Sequence, residues 1–182
     1  MKSDEIIHIG TKQFSLLFSE ETILKRVELI ADLISSDYQD RKITVIVVLK
    51  GAFIFAADLI RKLTSPCEIY FSNASSYGND SKSSGILSLS LPDIDYNDRD
   101  ILIVEDIVDT GRTLNDLTLR IKHHNICSLK SAVLLSKPVA RVFKIEPDYC
   151  CFEIPEAFVV GYGLDYAQIG RDLPCIYSEF KI

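Results

Sequence analysis

Ile101-Leu102-Ile103-Val104-Glu105-Asp106-Ile107-Val108-Asp109-Thr110-Gly111-Arg112-Thr113 is the stretch whose reading decides the fold. An unbroken aliphatic run, Ile101 to Val104, reads as a strand buried on both faces, as in a parallel sheet. It ends in two adjacent acids. A short loop with Asp109, Thr110, Gly111 and Thr113 follows, and then a helix whose inner face is Leu114, Leu117 and Ile121. In open α/β sheets ligands bind outside the carboxyl ends of strands. The N–H groups at a helix N-terminus form a phosphate site, assisted by the helix dipole. Gly111 allows close backbone approach, and Thr110 and Thr113 add hydroxyl donors. Acids beside a phosphate need a reason, because the two repel. Mg²⁺ between them is one reason, and a sugar whose hydroxyls donate to the carboxylates is another. Both point to a phosphorylated sugar. The plainer alternative is that Glu105, Asp106 and Asp109 only cap and solvate a helix start.

Working outward, Ser19 to about Ser36 predicts an amphipathic helix, with Ile23, Val27, Ile30 and Ile34 at helical spacing and Ser19 as cap. Ile43–Leu49 predicts a second buried strand, Lys50-Gly51 a turn, and Ala52 to about Leu63 a helix. Cys67–Ser72 predicts a strand. Asn73 to Gly85 is dominated by polar and small residues and predicts a mobile loop. Ile86–Leu91 predicts a short returning strand, Pro92–Arg99 a turn region, and Ala132–Leu135 and Tyr149–Glu153 two further strands. Strands alternating with helices predict an α/β domain around a mostly parallel sheet, flanked by helices.

The chain has 182 residues, 47% hydrophobic and 25% charged, with net charge −6. Length and composition predict a single domain over residues 1–182. The acidic balance argues against a general nucleic-acid binder. His123-His124 with Lys122 and Lys130 is the one local basic candidate, and reads as a helix end. Cys67, Cys127, Cys150, Cys151 and Cys175 show neither CxxC nor zinc spacing, which predicts buried thiols in a reducing cytosol. No apolar run reaches the roughly 20 residues of a membrane span, and the polar N-terminus does not read as a signal peptide. The expectation is a cytoplasmic protein with neither membrane nor nucleic-acid partner.

Val104 to Thr113 resembles the phosphoribosyl-pyrophosphate motif of type I phosphoribosyltransferases, in the form of the hypoxanthine-guanine branch. Leu49-Lys50-Gly51, Ser75-Ser76-Tyr77-Gly78, Ser136-Lys137-Pro138, Phe152-Glu153-Ile154-Pro155 and Phe158-Val159-Val160-Gly161-Tyr162-Gly163-Leu164-Asp165-Tyr166 are similar to segments of that family, in family order. The resemblance implies the type I phosphoribosyltransferase fold, with a small hood and a mobile loop over the active site. It implies transfer of the phosphoribosyl group from phosphoribosyl pyrophosphate to hypoxanthine or guanine, in purine salvage. It also implies Mg²⁺ as cofactor and a homodimer or homotetramer. A relative preferring xanthine, or an RNA-binding regulator on the same fold, are the alternatives.

By the same resemblance, Asp109, Thr110, Gly111, Arg112 and Thr113 hold the 5′-phosphate. Glu105 and Asp106 hold the ribose hydroxyls and, with Asp165, organise the metal. Asp109 is the implied general base near N7 of the purine. Lys137 is the implied donor to the 6-oxo group. An ammonium is donor-only and meets a 6-amino group poorly, which would favour hypoxanthine and guanine over adenine. Phe158 stacks on the base, and Val159 and Asp165 belong to the purine site, although burial preference alone would put Phe158 in the core. Lys50, Gly51 and Arg171 bind pyrophosphate, with a non-proline cis peptide often preceding the lysine in the family. Ser76 and Tyr77 lie on the closing loop. The chain departs from bacterial patterns at Gly78-Asn79-Asp80-Ser81-Lys82, at Cys151 and at Gly170.

Overall fold

The structure is a computed structural model that describes residues 6–76 and 87–180. Its elements in chain order are β1 (Ile6–Ile9), β2 (Lys12–Phe18), α1 (Glu20–Tyr38), β3 (Ile43–Leu49), α2 (Phe53–Ile60), β4 (Cys67–Ser76), β5 (Leu87–Ser90), β6 (Asp100–Val108), α3 (Arg112–Ile121), β7 (Ser128–Ser136), β8 (Tyr149–Glu153), β9 (Val159–Val160) and β10 (Ile176–Glu179). A sheet in the order β5-β4-β3-β6-β7-β8 forms the centre, parallel except for the antiparallel β4–β5 pair. This is the type I phosphoribosyltransferase architecture, α/β with a mostly parallel sheet.

Alternation along the central strands explains the layers. Side chains at successive positions point to opposite faces, so a strand with helices on both sides must be apolar throughout. Val45, Val47, Leu102 and Val104 pack with Ile23, Val27, Ile30 and Ile34 of α1 and with Phe55 and Leu59 of α2. Ile46, Val48, Ile101 and Ile103 face the other way, onto Leu114, Leu117 and Ile121 of α3. The Ser19 hydroxyl accepts from Thr22 N at 3.3 Å and caps α1, as its sequence position predicts. No helix among the described residues is long and apolar enough to cross a membrane.

Three differences from the sequence expectation lie next to the carboxyl edge of the central sheet or its helices, and β7 is also longer than predicted, at Ser128–Ser136. The strand predicted over Cys67–Ser72 continues to Ser76, into the stretch predicted as a loop, because β5 pairs with it from Asn73↔Ser90 to Ser76↔Leu87. Side chains reinforce that ladder: Ser72 Oγ donates to Ser90 O at 2.8 Å, and Asn73 N donates to Ser90 Oγ at 3.3 Å. Backbone pairing thus orders a segment whose composition offers little to bury. Tyr77 and the rest of the predicted loop, to Gly85, lie outside the described residues. The second difference is that β6 does not end at Val104. It stays paired with β7 through Glu105↔Val133, Ile107↔Leu135 and Val108↔Ser136, so both acids stand inside the strand. The third is that α2 ends at Ile60, short of Leu63, whose N–H closes the last turn on Leu59 O and Ile60 O at 3.2 and 3.3 Å.

A second sheet, antiparallel in the order β1-β2-β10-β9, forms the hood. Ile9, Phe14, Val160 and Tyr177 make its own small core.

Leu102 is fully buried in a strand covered on both faces. Truncation there leaves a cavity that the sheet cannot close, so Leu102→Ala should lower the unfolding free energy by about 2–5 kcal/mol. Urea denaturation of the two proteins measures it.

Candidate active site

The strand order reverses direction at β3. The chain passes through α2 to β4 on one side of β3, while β6 lies on the other. The carboxyl ends of β3 and β6 therefore meet at a topological switch point, where open α/β sheets bind their ligands. Lys50-Gly51 leaves β3 there, after a cis Leu49–Lys50 peptide. Gly51 lies directly against the carboxylate of Asp106, so any side chain at Gly51 would overlap it. The Gly163 backbone presses on the Gly51 carbonyl from the other side, leaving no room for a Cβ on Gly163 either. Arg171 braces this contact. Its Nη1 donates to Gly163 O at 2.7 Å, and its Nη2 lies 2.7 Å from Asp165 Oδ1. Asp165 Oδ2 in turn accepts from Gln168 N at 2.7 Å. Lys50 is exposed, with Nζ 3.4 Å from Gln168 Oε1.

At the end of β6 the chain turns through Asp109 and Thr110 to Gly111, which takes φ +81° as the N-cap of α3. Residues 107–113 with Glu105 line a concavity of about 80 Å³. The loop is pinned from behind, because Val142 N and Phe143 N both donate to Thr110 O, at 3.0 and 3.1 Å.

The neighbouring cavity, about 220 Å³, is lined by Asp109, Lys137, Glu156, Ala157, Phe158 and Glu179. Lys137 is 8% exposed, far from the solvated residue a lone lysine after a strand suggests. Its backbone N donates to Val108 O at 2.9 Å and its Nζ to Asp109 Oδ2 at 3.0 Å. Phe158 is 39% exposed, so the core placement suggested by burial preference does not hold. The ring meets Tyr166 edge-on at 5.8 Å, and Lys12 Nζ lies 4.8 Å from its centroid. Lys12 also pairs with Glu179 at 2.9 Å. Val159 is buried in β9, opposite Ser178, and Ser76 ends β4.

The fold thus gathers Lys50, Gly51, Asp106, Asp165 and Arg171 in one group. Glu105 lies with 109–113 in a second, and Asp109, Lys137 and Phe158 lie in a third. The three predicted metal ligands are divided, Asp106 and Asp165 in the first group and Glu105 in the second. Adjacent strand residues project to opposite faces, so Glu105 and Asp106 diverge. No group of three His, Cys, Asp or Glu side chains among the described residues is placed to hold a metal ion.

Burial dominates the electrostatics. It pushes the Glu105 carboxyl well above the ordinary range, the neighbouring Asp106 adds to this, and Arg141 acts against it. Asp106 is raised to about 6, again chiefly by burial, while backbone N–H groups at 106 and 107 and the Arg171 charge restrain the rise. Arg141 is the residue that sequence reading passed over. A single arginine in a polar loop carries no periodic or motif signal, yet its side chain is 7% exposed and lies against Gly111.

Residues 17–167 match the phosphoribosyl transferase domain, and the chain belongs to that family. It is 45% identical over 163 residues to the hypoxanthine-guanine phosphoribosyltransferase of Bacillus subtilis and 43% identical to that of Streptococcus pyogenes, each comparison covering 88% of this chain and 90% of the relative. Among solved structures, a hypoxanthine-guanine phosphoribosyltransferase from Bacillus anthracis superposes with TM-score 0.83 at 39% identity, covering 96% of this chain and 99% of that one. The hypoxanthine phosphoribosyltransferase of Trypanosoma cruzi gives TM-score 0.85 at 38% identity, covering 96% and 95%.

A carboxyl whose folded pKa lies above its unfolded value binds more protons in the folded state between the two values, so folding loses stability as pH rises across that window. For Asp106 the window runs from 3.8 to about 6. Without metal or substrate, the melting temperature should fall with rising pH across this range. Asp106→Asn should flatten that slope, which thermal melts at several pH values would record.

Proposed function

We propose that this chain is a purine-salvage enzyme that transfers the phosphoribosyl group of phosphoribosyl pyrophosphate to hypoxanthine or guanine, giving IMP or GMP and pyrophosphate. The observation that carries this reading is the Lys137–Asp109 pair. A buried ammonium and a half-exposed carboxylate stand together on the wall of a cavity flanked by Phe158, beside a helix N-terminus shaped for phosphate. A 6-oxopurine offers one acceptor and, at N7, one site of proton exchange, which matches that pair. Phe158 presents a ring face to the base.

In this reading residues 109–113 hold the 5′-phosphate, and Glu105 and Asp106, on opposite sides of β6, flank the ribose between the phosphate and the pyrophosphate. The bond from C1′ to pyrophosphate breaks as the bond to N9 of the base forms, and Asp109 exchanges the proton at N7. Carboxylates beside the sugar favour the positive charge that develops on it. Lys50, the Gly51 backbone and Arg171 receive pyrophosphate. Asp106 and Asp165 are hard oxygen donors beside that site, and they suit Mg²⁺, which keeps several waters and takes only one or two carboxylates together with substrate phosphates. Bound there, the ion would neutralise charge on the departing pyrophosphate.

Exposed Phe53, Ile69 and Phe71 support assembly into a homo-oligomer, dimer or tetramer. The five free cysteines suit the cytoplasm.

The test is a base panel. Protein with phosphoribosyl pyrophosphate and Mg²⁺ is given hypoxanthine, guanine, xanthine or adenine, with and without a chelator. Chelator-sensitive nucleotide from hypoxanthine or guanine, and little from adenine, is expected. Product chiefly from xanthine would move the assignment to a neighbouring specificity, and no product from any base would refute it. Lys137→Ala should reduce the preference for hypoxanthine over adenine at least tenfold, since each about 1.4 kcal/mol of lost discrimination is a factor of ten. An unchanged ratio would remove Lys137 from base recognition.

A further inference from the structure

We propose that Arg141 is a positioning residue of the 5′-phosphate cradle: its buried guanidinium sets a fixed positive charge behind the loop of residues 109–113 and so allows that loop to accept a phosphate dianion. This rests on the reading of that loop given above.

The cradle carries a charge imbalance. The cradle is lined by Glu105 as well as by the loop, and Asp109 stands at its edge. The N-terminus of α3 contributes roughly half an elementary positive charge. That cannot offset even one ionised carboxylate, and a phosphate dianion adds two more negative charges. A fixed cation close by would supply the balance.

Arg141 is placed to do so. Beyond Lys137 the chain makes one short 3₁₀ turn, Pro138–Ala140, which swings Arg141 back beneath the loop. The hydrogen bonds from Val142 and Phe143 to Thr110 O lock the backbone there. Arg141 Nη2 donates to Ser136 Oγ at 2.7 Å and lies 3.7 Å from the exposed Glu146 carboxylate. The other face of the guanidinium is different. Nε and Nη1 are buried with no hydrogen-bond partner among the described residues, and Nη1 comes within 3.5 Å of the position a Cβ on Gly111 would take. On the strand side Glu105 is likewise buried with Oε2 unpartnered, and the Arg141 charge acts directly on it. A guanidinium is charged at every working pH, and leaving its donors unmet costs free energy. A fixed positive charge with unmet donors, and a buried carboxyl with an unmet oxygen, therefore flank the loop where the dianion would sit. Gly111 completes the arrangement: a side chain there would crowd Arg141 Cδ and Ile145 Cγ2 at 3.0 Å.

The measurement is calorimetric binding of ribose 5-phosphate, without divalent metal, to the wild-type protein, Arg141→Gln and Arg141→Lys. Arg141→Gln should weaken binding at least tenfold, equivalent to about 1.4 kcal/mol. The KM for phosphoribosyl pyrophosphate should rise in parallel, while the KM for hypoxanthine changes less than twofold. Arg141→Lys keeps the charge and should stay within about threefold of wild type. A folded Arg141→Gln that binds ribose 5-phosphate within twofold of wild type would overturn the proposal, and so would equal losses in the two variants, which would make the role one of packing. If the glutamine variant does not fold, the lysine variant decides by the same threefold limit, and a tenfold loss there removes the charge role. Wild-type protein that does not bind ribose 5-phosphate would overturn the phosphate reading of residues 109–113 itself, whatever the variants do.

Discussion

The close approach of Gly51 to the Asp106 carboxylate sets the geometry on which the rest of the site depends. It is possible because β3 and β6 are neighbours in a parallel sheet, so the turns leaving both strands are brought to one edge. A bare backbone at position 51 lets an acid stand where a side chain would otherwise fill the space. The same bare backbone receives Gly163, and through Gly163 and Arg171 the hood is fastened to the sheet. The proposed pyrophosphate site is therefore held together by backbone contacts with no slack, and its charged side chains hang from that frame.

Burial and charge work against each other throughout this edge. Glu105 and Asp106 are carried into the interior by a strand that continues to pair past its apolar part, and both carboxyls resist ionisation as a result. Arg171 on one side and Arg141 on the other supply the opposing charges. Folding stability is thus sacrificed at this edge, a common arrangement at functional sites.

Much of this was legible in the sequence, and the reasons are specific. The core strands Ile43–Leu49 and Ile101–Val104 are apolar at every position because helices cover both faces, and that pattern has few other readings. The turn from β6 into α3 was legible because Gly111 and its polar neighbours stand between an apolar run and the helical spacing of Leu114, Leu117 and Ile121. What was not legible depended on partners distant in the chain. Asn73 to Ser76 read as loop because the ladder with β5 lies in the backbone and not in composition. The acids at 105 and 106 read as the end of the strand because only β7 shows that β6 continues to Val108. Arg141 has no local signature at all, since its burial is created by a turn beneath a loop some thirty positions earlier. Phe158 shows the converse error, because an aromatic residue flanked by aliphatics looks like core until the cavity beside it is seen.

The hood has a bearing on how the molecule comes to be. β2 ends at Phe18, but its neighbour β10 begins only at Ile176, and β9 joins the sheet through β10. Nearly the whole chain must therefore emerge from the ribosome before that sheet can close, and pairings between such distant segments form late because so much chain entropy is lost in making them. The central sheet and the turn into α3 draw on residues made earlier, whereas the wall bearing Phe158 and Glu179 waits for β10. A nascent chain would thus acquire the proposed sugar-phosphate side before the proposed base side.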